Sequence, residues 1–184
     1  MSDDAVLRVA VIGAESTGKS ALAAALAAHF GEPWAEEAVR AFWEARGGHI
    51  TPWDLATIAR GQMANEEVAA AQARRVVFCD TDLTTNVFWA DALYDGEIAP
   101  WVREEAVRRR QAYALFLWCD TDLVWEADPQ RCFADPAEWC AAAGRLRAAY
   151  NDVDARVAVV RGEGEARLAS ALAALAAIGL PVGG

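Results

Sequence analysis

The octapeptide Gly13-Ala14-Glu15-Ser16-Thr17-Gly18-Lys19-Ser20 restricts what this chain can fold into more than any other feature. It fills every fixed position of the pattern G-x-x-x-x-G-K-S/T. It also stands between an apolar run, Val6 to Ile12, and an alanine-rich stretch, Lys19 to Phe30, that Gly31 closes. A buried strand, a glycine turn and a helix in that order aim successive backbone N–H groups at one point. The positive end of the helix dipole adds to them, and the result is a cradle for phosphate. Gly13, Glu15, Ser16, Thr17, Gly18, Lys19, Ser20 and Ala21 are the expected cradle residues. Lys19 reaches the β- and γ-phosphates, and the Ser20 hydroxyl binds Mg²⁺.

The rest of the chain supplies the sheet that such a cradle needs. Arg75–Cys79, Tyr113–Cys119 and Arg156–Val160 read as strands, and a further extended segment is expected at Pro33–Ala38. Trp53–Arg74, Pro136–Tyr150 and Gly164–Ile178 read as helices, the first announced by Thr51-Pro52. Strands alternating with helices over the whole length indicate an α/β fold with a parallel sheet covered on both faces. No linker or compositional break divides it, so residues 1–184 are expected to form a single domain.

Acidic residues follow the strands. Val76-Val77-Phe78-Cys79-Asp80 is an apolar strand ending in an aspartate, suited to holding Mg²⁺ beside the cradle. Asp82 either shares that work, accepts a proton from a substrate hydroxyl, or caps the next helix. The pentapeptide Cys79-Asp80-Thr81-Asp82-Leu83 recurs as Cys119-Asp120-Thr121-Asp122-Leu123. Each copy leaves carboxylates at the carboxyl end of a strand, the edge where open α/β sheets bind ligands. Glu36, Glu37 and Arg40 follow the second extended segment on that same edge. Glu37 is a candidate for binding a sugar hydroxyl or acting as base, with Arg40 orienting it, or the two form an ordinary helical ion pair. Arg131 lies in a turn-rich stretch suited to a lid that touches transferring phosphate. Trp53, Trp89 and Trp125 are candidates for stacking on an aromatic base. Arg108, Arg109 and Arg110 read as a solvated helix face.

Charge and composition exclude several classes. Seventeen basic residues against 27 acidic ones give a net charge of −10 and a pI near 4.7, so no footprint for a nucleic-acid backbone exists. Sixteen of the seventeen are arginine; Lys19 is the one lysine. A guanine-reading N-K-x-D element would need a second lysine, and Asp80-Thr81-Asp82-Leu83 lacks the glycine of a D-x-x-G switch. A GTPase switch is therefore disfavoured, and a compact small-molecule kinase remains. No apolar run approaches the roughly 20 residues of a membrane span. The acidic start (Met1-Ser2-Asp3-Asp4) is unlike a signal peptide, and the four cysteines lack C-x-x-C spacing. Reduced thiols and a cytoplasmic location are expected. The oligomeric state is left open, a homo-oligomer included.

Gly13 to Ser20, Glu37-x-x-Arg40, Ile58-x-x-Gly61-Gln62, Asp80-Thr81-Asp82-Leu83-Thr84-Thr85 and Trp125-Glu126-x-Asp128-x-x-Arg131 occur here in one order. In that order the chain resembles the ribosylnicotinamide kinase domain of NadR-type NAD-biosynthesis proteins, an AAA-like ATPase domain family. The resemblance runs from about residue 6 to about residue 175. It implies a three-layer P-loop NTPase kinase fold, a five-stranded parallel sheet in the order 2-3-1-4-5. It further implies ATP and Mg²⁺ as cofactors and phosphorylation of the ribose 5′-hydroxyl of a nucleoside, ribosylnicotinamide, to nicotinamide mononucleotide. On this reading Lys19, Asp80, Asp82, Glu37 and Arg131 are catalytic. Glu37, Arg40, Asp82 and Trp125 hold the substrate, and Ser20 and Asp80 hold the metal. A kinase of another nucleoside or nucleotide, and an ATP-binding regulatory module with little turnover, are the alternatives. Bifunctional members carry further domains before this one; with only a few residues ahead of the first strand, those activities are expected to be absent.

Overall fold

The computed structural model describes residues 6–123, 132, 133 and 135–182. Five strands, β1 (Leu7–Ile12), β2 (Trp34–Ala35), β3 (Val76–Asp80), β4 (Leu115–Cys119) and β5 (Val157–Val160), form one sheet in the order β2-β3-β1-β4-β5. Every neighbouring pair is parallel. The helices are α1 (Lys19–Phe30), α2 (Ala38–Ala45), α3 (Leu55–Gln72), α4 (Leu83–Leu93), α5 (Pro100–Arg110), α6 (Pro136–Ala148) and α7 (Gly164–Ala177). Both the parallel sheet and its strand order agree with expectation.

The two-residue period of a strand divides the core into two layers. Val9, Val11, Val76, Phe78, Leu115 and Leu117 pack on one face against Leu22, Leu26 and Phe30 of α1 and Ala171 and Leu175 of α7. Ala10, Ile12, Val77, Phe116 and Trp118 point the other way, onto Phe88, Trp139, Leu146 and Tyr150. Each fully buried aliphatic or aromatic side chain of this kind contributes about 1.5–3 kcal/mol. Strands enclosed on both faces have no polar side to show, which is why β1, β3 and β4 are almost continuously apolar.

The strand and helix assignments hold with ends shifted by a few residues. Pro33–Ala38 contracts to the two residues of β2, with α2 starting at Ala38. Thr51 and Asp54 form a reciprocal capping box on a short 3₁₀ turn, Pro52–Asp54, that leads into α3. The sequence offers α2, α4 and α5 only through the helical alternatives at Glu37, Asp82 and Arg108–Arg110, without bounds. The arginine run divides: Arg108 stays on the solvated face, paired with Glu105 at 2.5 Å, whereas Arg109 and Arg110 turn inward. Arg109 bonds the buried Glu66 at 2.8 Å and Glu67 at 2.7 Å, and Arg110 donates to the Ala149 carbonyl at 2.5 Å. Long-range carboxylates from α3 draw Arg109 inward, which local sequence does not reveal. Among the described residues no helix is long and apolar enough to cross a membrane.

Candidate active site

The turn between β1 and α1 is built by backbone conformations that side chains resist. Gly13 has φ 151°, and a Cβ there would lie 2.8 Å from the Cys119 carbonyl oxygen and 2.9 Å from Thr17 Oγ1. Gly18 is left-handed at φ 78°, and Ser16 adopts φ 59°. Thr17 Oγ1 donates to the Ala14 carbonyl at 2.8 Å, and Lys19 Nζ donates to the same oxygen at 2.8 Å. The curl is thus fastened by its own hydroxyl and ammonium, with the α1 N-terminus behind it. Ser16 and Ala21 are exposed at the mouth.

Glu15 also fastens the turn to the segment ahead of α6 and to α6 itself. Its carboxylate accepts the N–H groups of Cys132, at 3.2 Å, and Phe133, at 3.3 Å, and its carbonyl accepts Trp139 Nε1 at 3.0 Å. The side chain holds Cys132 and Phe133 ahead of α6, the carbonyl holds Trp139 on α6, and the Glu15 N–H remains for the cradle. Burial and the neighbouring Glu15 carboxylate push the Cys132 thiol up to about 11.

Asp80 ends β3 beside Ser20 and is 1% exposed. Burial raises its carboxyl above the ordinary range, partly offset by the Ser20 hydroxyl and the Lys19 ammonium. Its Oδ1 is enclosed and has no partner among the described residues. A buried carboxylate oxygen left free next to a hydroxyl fits a divalent cation, so Asp80 and Ser20 are the residues that would hold Mg²⁺. Glu37, half-buried at the N-terminus of α2, has its carboxyl raised by burial and by the Asp80 charge, against Lys19 and Arg40. Lys19, Ser20, Asp80, Glu37 and Arg40 therefore meet at the carboxyl edge of β1, β2 and β3.

Asp82 does not join them. Thr81 between the two aspartates is left-handed at φ 72°, uncommon for a β-branched residue, and its N–H donates to Val11 O at 3.0 Å. That twist sends Asp82 into the core, where it caps α4. It accepts the Thr85 N–H at 3.3 Å, Thr84 Oγ1 at 2.8 Å and the Tyr150 hydroxyl at 2.6 Å. With its oxygens occupied, Asp82 is corrected from candidate base or substrate ligand to helix cap. Asp82→Asn, which keeps one oxygen for the Thr85 N–H and the Tyr150 hydroxyl and turns an amide donor to the Thr84 hydroxyl, is expected to retain turnover within about threefold, whereas Asp82→Ala loses about 2 kcal/mol by thermal melting.

Trp125 and Arg131 lie outside the described residues. Trp89 is engaged with Phe133, ring centroids 5.8 Å apart and nearly parallel, and Trp53 is 85% exposed. Sequence reading missed Arg167. From α7, 4% exposed, it donates to Thr17 O and to Gly162 O at 2.6 Å each, and pairs with Asp122. Asp122 also accepts the Gly162 N–H at 2.6 Å, and Asp120 holds Arg161 at 2.9 Å. The second Cys-Asp-Thr-Asp-Leu copy thus braces the α7 side of the turn, while Asp80 of the first stands beside Ser20.

The same architecture occurs in solved structures. A NadR protein in complex with NR superposes with a TM-score of 0.70 at 21% identity, covering 95% of this chain and 50% of that one. A NadR protein with NAD and AMP-PNP gives 0.68 at 23%, covering 95% and 49%. The chain spans about half the length of these NadR chains. A deoxyadenosine kinase from M. mycoides with bound dATP gives 0.58 at 10%, covering 92% and 99%. No curated protein sequence matches. These likenesses share the P-loop kinase fold described above. A sequence-family profile described as an AAA domain aligns with residues 8–167, from the first strand through the cradle to Arg167, and the chain belongs to that family.

Proposed function

We propose that the protein is an ATP-dependent kinase that phosphorylates the ribose 5′-hydroxyl of ribosylnicotinamide, giving nicotinamide mononucleotide. The observation that carries this reading is the convergence of Lys19, Ser20, Asp80 and Glu37 on one sheet edge. The fold likeness to NadR proteins solved with NR and with AMP-PNP supports it. The cradle amides and Lys19 hold the phosphates. Ser20 and Asp80 would hold Mg²⁺, which would supply charge neutralisation at the phosphates. The acceptor oxygen bonds to the γ-phosphorus, the bond to the β–γ bridging oxygen breaks, and ADP leaves. Glu37 takes the hydroxyl proton, and Arg40 orients the acceptor. Arg131 fits the role of a cation on the transferring group. The free thiols of Cys79, Cys119, Cys132 and Cys140 accord with a cytoplasmic setting.

The test is ADP and phosphorylated product from Mg-ATP with a panel of nucleosides. Turnover with ribosylnicotinamide above all others is expected. Turnover only with another nucleoside would move the acceptor, and tight ATP binding without acceptor-dependent ADP would sink the enzyme reading. Proton acceptance needs ionised Glu37, and its carboxyl is raised in the fold. Turnover therefore falls as pH drops through a value above the ordinary glutamate range of about 4.3. Glu37→Gln is expected to flatten that acid limb and lower kcat about 10²–10⁴-fold.

A further inference from the structure

The Gly61-Gln62 pair on α3 belongs to none of the steps above, yet it lies against the segment that carries Glu37. Gln62 is 1% exposed, and its Oε1 accepts the Ala38 N–H at 3.0 Å. One turn on, Asn65 Nδ2 donates to the Glu36 carbonyl at 3.0 Å. The Glu36 carbonyl belongs to the peptide before Glu37, and the Ala38 N–H to the peptide after it. Both planes flanking the Glu37 Cα are therefore held by side chains of one helix. Gly61 permits the approach, since a Cβ on it would stand 3.3 Å from the Ala38 Cβ. The other end of Gln62 reaches back, Nε2 donating to the Asp80 carbonyl and to Glu66, each at 3.4 Å.

We propose that Gly61, Gln62 and Asn65 are positioning residues, a clamp on α3 that fixes Glu37 at its distance from Asp80. A helix N-terminus leaves its first N–H groups without intrahelical partners, so the Ala38 N–H would otherwise turn to water and α2 could pivot about Glu37. Gln62 satisfies that donor from the same side chain that bonds the end of β3. The two carboxylate-bearing segments then share one ruler, and the acceptor hydroxyl meets the γ-phosphoryl group at a set distance. Small displacements of a positioned group cost rate steeply, about 10²-fold for 1 Å.

The inference rests on the role proposed for Glu37, so its test has two independent readouts. Hydrogen exchange at Ala38 reports the clamp whether or not the acceptor is the right one. In Gln62→Met, which keeps volume and loses all three bonds, the Ala38 amide is expected to exchange at least about tenfold faster. With the acceptor that the wild-type protein uses, kcat falls about 10–100-fold while KM for ATP stays within twofold, because the cradle is untouched. Gly61→Ala acts by crowding instead of bond loss and gives the same split; alanine favours helix, so α3 itself is not weakened. Ala38→Gly added to Gly61→Ala removes the opposing Cβ and restores at least half of the lost kcat. Unchanged Ala38 exchange in Gln62→Met, an equal loss in kcat and in ATP affinity, or no recovery in the double variant would each overturn the proposal. Faster Ala38 exchange in a protein with no acceptor-dependent turnover leaves the clamp standing and removes the kinase reading.

Discussion

Lys19→Arg, although it conserves charge, is expected to lower kcat about 10²–10³-fold with the melting temperature unchanged within about 2 °C. The reason is shape. Lys19 Nζ folds over the turn and donates to the Ala14 carbonyl at 2.8 Å, inside a curl already closed by Thr17 on the same oxygen. A compact ammonium on a flexible stem can swing from that oxygen to a phosphate and present any of its three N–H donors. A planar guanidinium is wider and presents its donors in a fixed fork. Steady-state turnover with Mg-ATP and acceptor, beside a thermal melt, checks this. Near-normal kcat in the variant would contradict the steric account.

The second large effect is expected at Arg167. Arg167→Met keeps much of the aliphatic stem and removes the donors to Thr17 O, Gly162 O and Asp122. Breaking a largely buried pair and leaving carbonyls unsatisfied costs about 3 kcal/mol, a loss of roughly 6–12 °C in melting temperature at this chain length. The Thr17 carbonyl sits within the turn whose N–H groups are proposed to hold phosphate, so its release is expected to misaim them. KM for ATP is expected to rise about tenfold or more, and Arg167→Lys to recover part of it. A destabilised variant with unaltered ATP affinity would show Arg167 to be structural only.

What the sequence disclosed and what it withheld divide along physical lines. The cradle, the strands and their order depend on local pattern: an apolar run, two glycines, one lysine, and the resemblance these allowed. Helix α4 has no bounds in the sequence because it packs between neighbours on most sides. Leu83, Thr84, Thr85, Asn86, Phe88 and Ala90 are all buried, so no polar stripe gives it a helical period. Arg109 and Arg167 were misread or missed because their partners lie 43 and 150 positions away. The sequence leaves Asp82 open between metal ligand, proton acceptor and helix cap. Thr81, held left-handed, sends Asp80 to the site and Asp82 to the core. A positive φ on a threonine has no compositional mark.

The bond from Lys19 to Ala14 has one further consequence. Because the chain has a single lysine, isotope labelling of that amino acid alone yields a protein with one labelled side-chain ammonium, sited in the phosphate cradle. Its resonance reports directly whether that nitrogen rests on a carbonyl or on a phosphate. Nucleotide occupancy can thus be titrated spectroscopically from one signal, with no mutation and no attached probe.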